Sequence, residues 1–290
     1  MIDLFNIPNS QQDIQIFYTN GTTNAWQTWQ KPRKCNYIYI ICIGGGGGGA
    51  GGLNSTVTVY STGGASGGVS RTLFNAQQLP DRLYVQVGTG GAGGAANSSG
   101  TAGTRSFVSL TPLIGTTSSI AGSGTAGAAG GTSGSSATGE PAPAQANINF
   151  LCLANFINVA GVTAVGSGVT SIPPNITPLT SQITCPGAGG SGDPSALGGS
   201  ILATSISPLI SGGTQATVSG TTAGNGGNGF TSYKPFFSTG GAGGGNAVAG
   251  STGGNGGNGG IGSGGGGGGT GTTGGTGGKG GDGLVIIISF

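Results

Sequence analysis

Six carboxylates, four thiols and eight cationic side chains are all the acids, thiols and bases of this 290-residue chain, and it has no histidine. The acids are Asp3, Asp13, Asp81, Glu140, Asp193 and Asp282. General acid–base and nucleophilic catalysis need a proton donor, an acceptor or an activated nucleophile held within reach of its partner. Acids this scattered form no local constellation, and Asp81 and Asp193 sit in turn contexts beside Pro80 and Pro194. Two distant carboxylates could meet in a fold, as glycoside cleavage requires, but nothing in the spacing points there. In GGTGGKG, residues 274–280, Lys279 is followed by Gly280, which departs from the phosphate-cradling loop. Cys35, Cys42, Cys152 and Cys185 show no CxxC spacing and have no histidine to complete a zinc site. The expectation is a protein that is not an enzyme, with no catalytic, cofactor-binding or metal-ligating residues.

Cys42 lies inside an apolar run, where a small apolar thiol fits better than a disulfide. Free buried thiols fit assembly in a reducing compartment; a disulfide among the four stays open. The charge balance of +2 gives no footprint for nucleic acid, and Lys31, Arg33 and Lys34, the one basic cluster, read as a solvated turn before a strand. Apolar runs of seven residues fall far short of the roughly 20 that cross a membrane as a helix. Met1-Ile2-Asp3-Leu4 does not begin a secretory signal. A soluble, unexported product is expected.

The elements that would position any site are announced by glycine, 71 residues in all. From Gly250 to Gly283 every third residue is glycine without a break. The next frame is interrupted only by Ser263 and Thr272 after Gly254, and the third carries Asn255, Asn258, Ile261, Thr270, Thr273, Thr276, Lys279 and Asp282, with Gly264 and Gly267 between. A period of three is neither helical nor that of a strand; it fits a polyproline-II type helix, rising about 3.1 Å per residue without internal hydrogen bonds. Two bare faces imply close packing against neighbours, which only glycine permits. Collagen is excluded by the scarcity of proline and the failure of the period elsewhere.

Conventional strands flank these tracts: an alternation at Ile14–Tyr18, the run YIYIICI at 37–43 as a strand buried on both faces, TVTVY at 56–60, LYVQV at 83–87 and LVIIISF at 284–290. A strand edge at 284–290 is expected to be open to a neighbour, allowing a homotrimer or a contact with a fibre. The fold expected is all-β, a β-sandwich-like body joined to a bundle of polyglycine-II helices with little or no α-helix. Its parts are a β body at 1–139, a Pro- and Cys-containing insert at 140–186 with a short helix around 148–158, and a polyglycine-II bundle at 187–290 closing with a strand, all in one continuous unit. The recognition surface is placed at Phe230, Tyr233, Phe236 and Phe237, together with Asn225 and Asn228 of GNGGNG.

The order Trp26-x-x-Trp29-x-Lys31-Pro32, then IYIICIGGGGGGAGG, resembles the glycine-rich domain of phage tail-fibre and minor tail proteins. LPDRLYVQVGTGGAGGAA resembles its second signature, and GGKGGDGLVIIISF its closing turn and strand. The chain is also similar in kind to the glycine-rich tip adhesins of T-even-like tail fibres, whose polyglycine-II helices stack beneath receptor-contacting loops. The resemblance implies a virion structural protein assembled in the host cytoplasm. Its partners would be other virion proteins, of fibre or capsid, and a host surface glycan or protein. The insert at 140–186 departs from the pattern, and the residues before Trp26 suggest no fibre-attachment domain. Alternatives are a capsid decoration or head-fibre protein without a receptor role, and an extracellular matrix or filament subunit. A third is an ice-binding protein, with Thr270, Thr273 and Thr276 as a row, similar to the snow-flea antifreeze proteins.

Overall fold

In Tyr37–Ile43 the even-numbered side chains point to one side of the strand and the odd-numbered to the other, and both sides are covered. The chain was described by a computed structural model over residues 13–21, 25–54, 61–112, 119–122, 152–159, 178, 183–191, 197–233 and 236–290. Its strands are β1 (Asp13–Phe17), β2 (Trp26–Gln30), β3 (Tyr37–Ile43), β4 (Val69–Asn75), β5 (Arg82–Gln86), β6 (Phe107–Ser109), β7 (Ser119–Gly122), β8 (Cys152–Val159), β9 (Thr231–Tyr233), β10 (Phe236–Ser238) and β11 (Leu284–Ser289). β1-β11-β3-β4-β8 form one antiparallel sheet, β2-β5-β6-β7 a second, and β9 and β10 a hairpin. Among the described residues the only internally hydrogen-bonded helix is a single 3-10 turn at Ala76–Gln78, so the fold is all-β.

The two large sheets face each other. Ile38, Ile40 and Cys42 of β3 and Val285 and Ile287 of β11 meet Trp29 of β2, Leu83 and Val85 of β5 and Val108 of β6 in one buried cluster. Tyr39, Ile41 and Ile43 turn the other way, with Leu284, Ile286 and Ile288, into a second cluster covered in part by Ile183, Phe236 and Ile261. This double burial explains why β3 and β11 are uninterrupted apolar runs.

Two expectations are corrected. The stretch around 148–158 contains no helix among its described residues: Cys152–Val159 is a strand paired antiparallel with β4, as its β-branched and aromatic content favours. Nor is 284–290 an open edge. β11 lies between β1, with Val285 opposite Phe17, and β3, with Val285 opposite Cys42. The edges of that sheet are β1 and β8. The strand expected at 56–60 lies outside the described residues.

Glycine helices continue the strands beyond the sandwich. β3 runs into 44–52, and each residue of a turn there donates to a different neighbour. Gly44, Gly47 and Ala50 bond the carbonyls of Gly68, Ala65 and Thr62; Gly45, Gly48 and Gly51 those of Thr104, Thr101 and Ser98; Gly46, Gly49 and Gly52 those of Gly281, Gly278 and Gly275, all at 2.8–3.0 Å. Partners that step by three identify helices of three residues per turn, which satisfy between chains the backbone groups they cannot satisfy within. The segment 262–270 is the most enclosed. It donates to 185–191, 44–52, 251–260 and, from Gly262, to Asp282, and accepts from 61–68, 239–247 and 275–281. A Cβ added at Gly46 or Gly49 would collide with the carbonyl of Ser263 or Gly266.

All four cysteines are free. Burial alone pushes the Cys42 thiol far up, and burial, partly opposed by a backbone hydrogen bond from Gly240, pushes Cys185 up to about 11. Both thiols are favoured in the neutral form. Their contribution to stability is therefore complete below the ordinary thiol pKa of 9.0 and declines as pH rises beyond it. A neutral alkylating reagent on the native protein is expected to label Cys35 and Cys152, which are half-buried, while Cys42 and Cys185 react only after unfolding. Mass mapping checks this, and labelling of Cys42 at the rate of Cys35 would contradict it.

Candidate functional site

Two short paired strands set the predicted aromatics in two pairs, on opposite faces of a hairpin. In the β9–β10 hairpin, Tyr233 stands opposite Phe236 and Ser232 opposite Phe237. The Tyr233 and Phe236 rings pack at 5.8 Å and 62°, and Phe230 and Phe237 at 5.9 Å and 54°. Exposure separates these four. Phe230 and Tyr233 are 43% and 39% exposed, whereas Phe237 is 6% exposed and Phe236 packs into the outer sheet cluster. Phe236 and Phe237 thus anchor the hairpin, and Phe230 and Tyr233 present ring surface.

Tyr18, just past the end of β1, joins Tyr233, with its hydroxyl 3.5 Å from that of Tyr233. Burial, and then the hydrogen bond and charge of Tyr18, raise the pKa of Tyr233, so the Tyr233 hydroxyl stays neutral and can donate and accept hydrogen bonds. Sequence reasoning left Tyr18 out of the surface. Its signal was the alternation Ile14, Ile16, Tyr18, whose last member overhangs the strand end next to a hairpin more than two hundred residues away.

Asn225 and Asn228 serve the lattice first. Asn225 Oδ1 accepts from the Asn255 N–H and Asn228 Oδ1 from the Asn258 N–H, both at 2.9 Å; Asn255 and Asn258 pass the pattern on to the N–H groups of Thr276 and Lys279 at 2.8 Å. The segments 222–230, 252–260 and 273–282 so form an exposed layer with columns Asn225–Asn255–Thr276 and Asn228–Asn258–Lys279. Backbone bridges join Thr222, Thr252 and Thr273 in a further row. Side chains three residues apart on one helix are about 9 Å apart at the polyproline-II rise. The threonine row expected at 270, 273 and 276 does not exist as a face. Thr270 is fully buried and bonds Ser191 O and Asn246 Nδ2, because the chain reverses between 270 and 273.

The glycine-rich domain family matches residues 19–289. The chain belongs to that family. No curated protein matches it. In this glycine-rich domain the matched span takes in every described strand but β1, together with the helical lattice. Of the basic cluster, Lys31 is structural: its Nζ donates to the carbonyls of Ala76 and Leu79 and pairs with Asp81 at 3.1 Å, whereas Arg33 and Lys34 are exposed. Among the described residues no group of histidine, cysteine or carboxylate side chains could hold a metal ion, and no helix is long and apolar enough to cross a membrane.

Proposed function

We propose that this glycine-rich domain is a structural protein of a phage virion, placed at a fibre tip or particle surface, where it contributes to host attachment by rigid display of its loops. It works without catalysis or cofactor. The carrying observation is the exposed aromatic surface of the hairpin, with Tyr233 and Tyr18 paired on one face and Phe230 packed on Phe237 on the other. Ring faces suit stacking on sugar or apolar side chains, and the paired hydroxyls suit a polar partner. The partner class is a host surface glycan or protein, and the lattice side faces other virion proteins, in a homotrimer or against a fibre or capsid.

Replacing Phe230 and Tyr233 together with alanine is expected to lower particle adsorption by about ten-fold or more, as loss of exposed aromatic anchors does. The thermal transition of the purified domain should stay within a few degrees of its unsubstituted value. Unchanged adsorption with the fold intact would remove the receptor role and leave a decoration or head-fibre protein. The exposed layer carrying Thr222, Thr252 and Thr273 beside the two asparagine columns supports a second reading, ice binding, for which thermal hysteresis of the purified domain is the test.

A further inference from the structure

Between the turn that joins β2 to β3 and the one that joins β4 to β5 lies a cavity of about 440 Å³. Its frame is fixed, because Lys31 N–H donates to Asp81 O at 2.7 Å and Ala76 N–H to Asn36 O at 2.9 Å. Small-molecule sites span about 300–1,000 Å³. Gln30, Lys31, Arg33, Lys34, Gln77 and Asp81 supply the polar lining. Of the eight cationic side chains in the sequence, three therefore line this cavity, and a fourth, Arg82, stands opposite Gln30 in the pairing of β2 with β5.

These cations are not equivalent. Lys31 is engaged within the fold, where its ammonium bonds Ala76 O, Leu79 O and Asp81. Arg33 and Lys34 are exposed and make no hydrogen bond or ion pair among the described residues. Lys34 is also held at a φ of +68°, a conformation that glycine takes freely and a residue with a side chain does not. Gly21, Gly220, Gly250 and Gly262 fill other such positions among the described residues. Asn97, with a φ of +61°, bonds the Asn54 N–H through its side chain. Lys34 has no internal bond of that kind. A chain with 71 glycines thus keeps a lysine where glycine would fit better, and no contact within the fold accounts for it.

We propose that this cavity is a second binding site, built on other elements than the hairpin aromatics, and that it takes a sugar bearing a single carboxylate. The planar guanidinium of Arg33 can meet a carboxylate with two parallel bonds, and the Lys34 ammonium adds a compact charge. Gln30 and Gln77 carry amides that donate and accept, and the Asp81 carboxylate accepts, so hydroxyl groups find partners beside the cations. Asp81 also disfavours a ligand of higher negative charge, which would meet a like charge in the same cavity. Pro32, Cys35 and Ala76 supply the apolar part of the lining, too little to hold an apolar ligand.

Glucuronic acid, titrated into the purified intact protein at low salt and followed by NMR, is expected to bind saturably and to move the amide signals of 30–35 and 76–81. Glucose, its neutral counterpart, should bind at least about ten-fold more weakly, the scale of one charge-assisted hydrogen bond. Lys34→Gly removes the ammonium and relieves the backbone. It should unfold at the same or a higher urea concentration and yet bind glucuronic acid at least about ten-fold more weakly. Lys279→Ala, which removes an exposed cation of the lattice, should bind as the unsubstituted protein does. Glucose bound as tightly as glucuronic acid would overturn the proposal, as would sulfate displacing glucuronic acid at equal concentration. So would full affinity in Lys34→Gly, or a loss of stability there, which would give the side chain a role in the fold. The titration is read on the purified protein, so its outcome is independent of the adsorption measured for Phe230 and Tyr233.

Discussion

Gly266→Ala is expected to abolish stable folding, or to lower stability by more than about 4 kcal/mol if any folded protein is recovered. A Cβ at this position would be driven into the backbone carbonyl of Ala242, far inside van der Waals contact. The obstacle is main chain and cannot rotate away. Gly266 N–H also bonds Gly257 O at 2.8 Å, and its own carbonyl receives Gly278 N–H at 2.8 Å. Relief at one contact would thus pull on two other helices, which are themselves tied onward. Overpacking in an ordinary core costs about 1–3 kcal/mol because side chains repack; here there are almost none to repack. Gly220→Ala is the matched control. Its φ of +82° disfavours a side chain, but nothing lies within 4 Å of the added carbon, so about 1 kcal/mol is expected. Urea unfolding of both variants measures the difference. Equal losses would mean that conformational preference, not close approach, explains the glycine at 266.

Ending the chain at Gly283 is expected to leave no cooperative unfolding transition. β11 is central to the larger sheet, and all six of its residues are buried. It gives Val285 and Ile287 to the core between the sheets and Leu284, Ile286 and Ile288 to the outer cluster. Without it β1 loses its pairing partner and β3 one of two. The milder Ile287→Ala removes a fully buried side chain and should cost about 2–5 kcal/mol, read as a lower urea midpoint with an unchanged slope. A truncated chain that still unfolds in one sharp step would show that the lattice and the remaining strands suffice.

The repeat of three was legible because glycine dominates where helices touch, with a few small buried exceptions such as Ala50, Ala242, Ser263 and Thr270, and larger side chains appear where they do not. Asn255, Asn258, Thr276 and Lys279 occupy the third frame where it faces solvent, whereas Gly264 and Gly267 occupy it where 262–270 is enclosed on every side. The strands were legible from apolar runs whose two faces are both covered, as in β3 and β11. Neighbour relations were not legible, because glycine carries no side chain by which one helix could be told from another. That is why 284–290 read as an edge and Thr270 as part of a surface row. The strand at 152–159 was misread because INFLCLANFINV is a short apolar run that periodicity alone does not assign. For the aromatic patch, the clustering in sequence located the hairpin, but burial of Phe237 and the arrival of Tyr18 depend on long-range packing.

β9 and β10 are continued without interruption by the helices 222–230 and 238–247, which are joined by the bonds Thr239 N–H to Phe230 O, Ala242 N–H to Gly227 O and Gly245 N–H to Gly224 O. Each helix is bonded onward to others, at Gly226 to Asn255 O and at Gly241 to Gly264 O. A pull on the hairpin along the helix axes would therefore load these cross-links in shear, many at once, and not peel them open one after another. Such an attachment point yields as a block, and the strength of a tether made from it grows with the length of helix engaged.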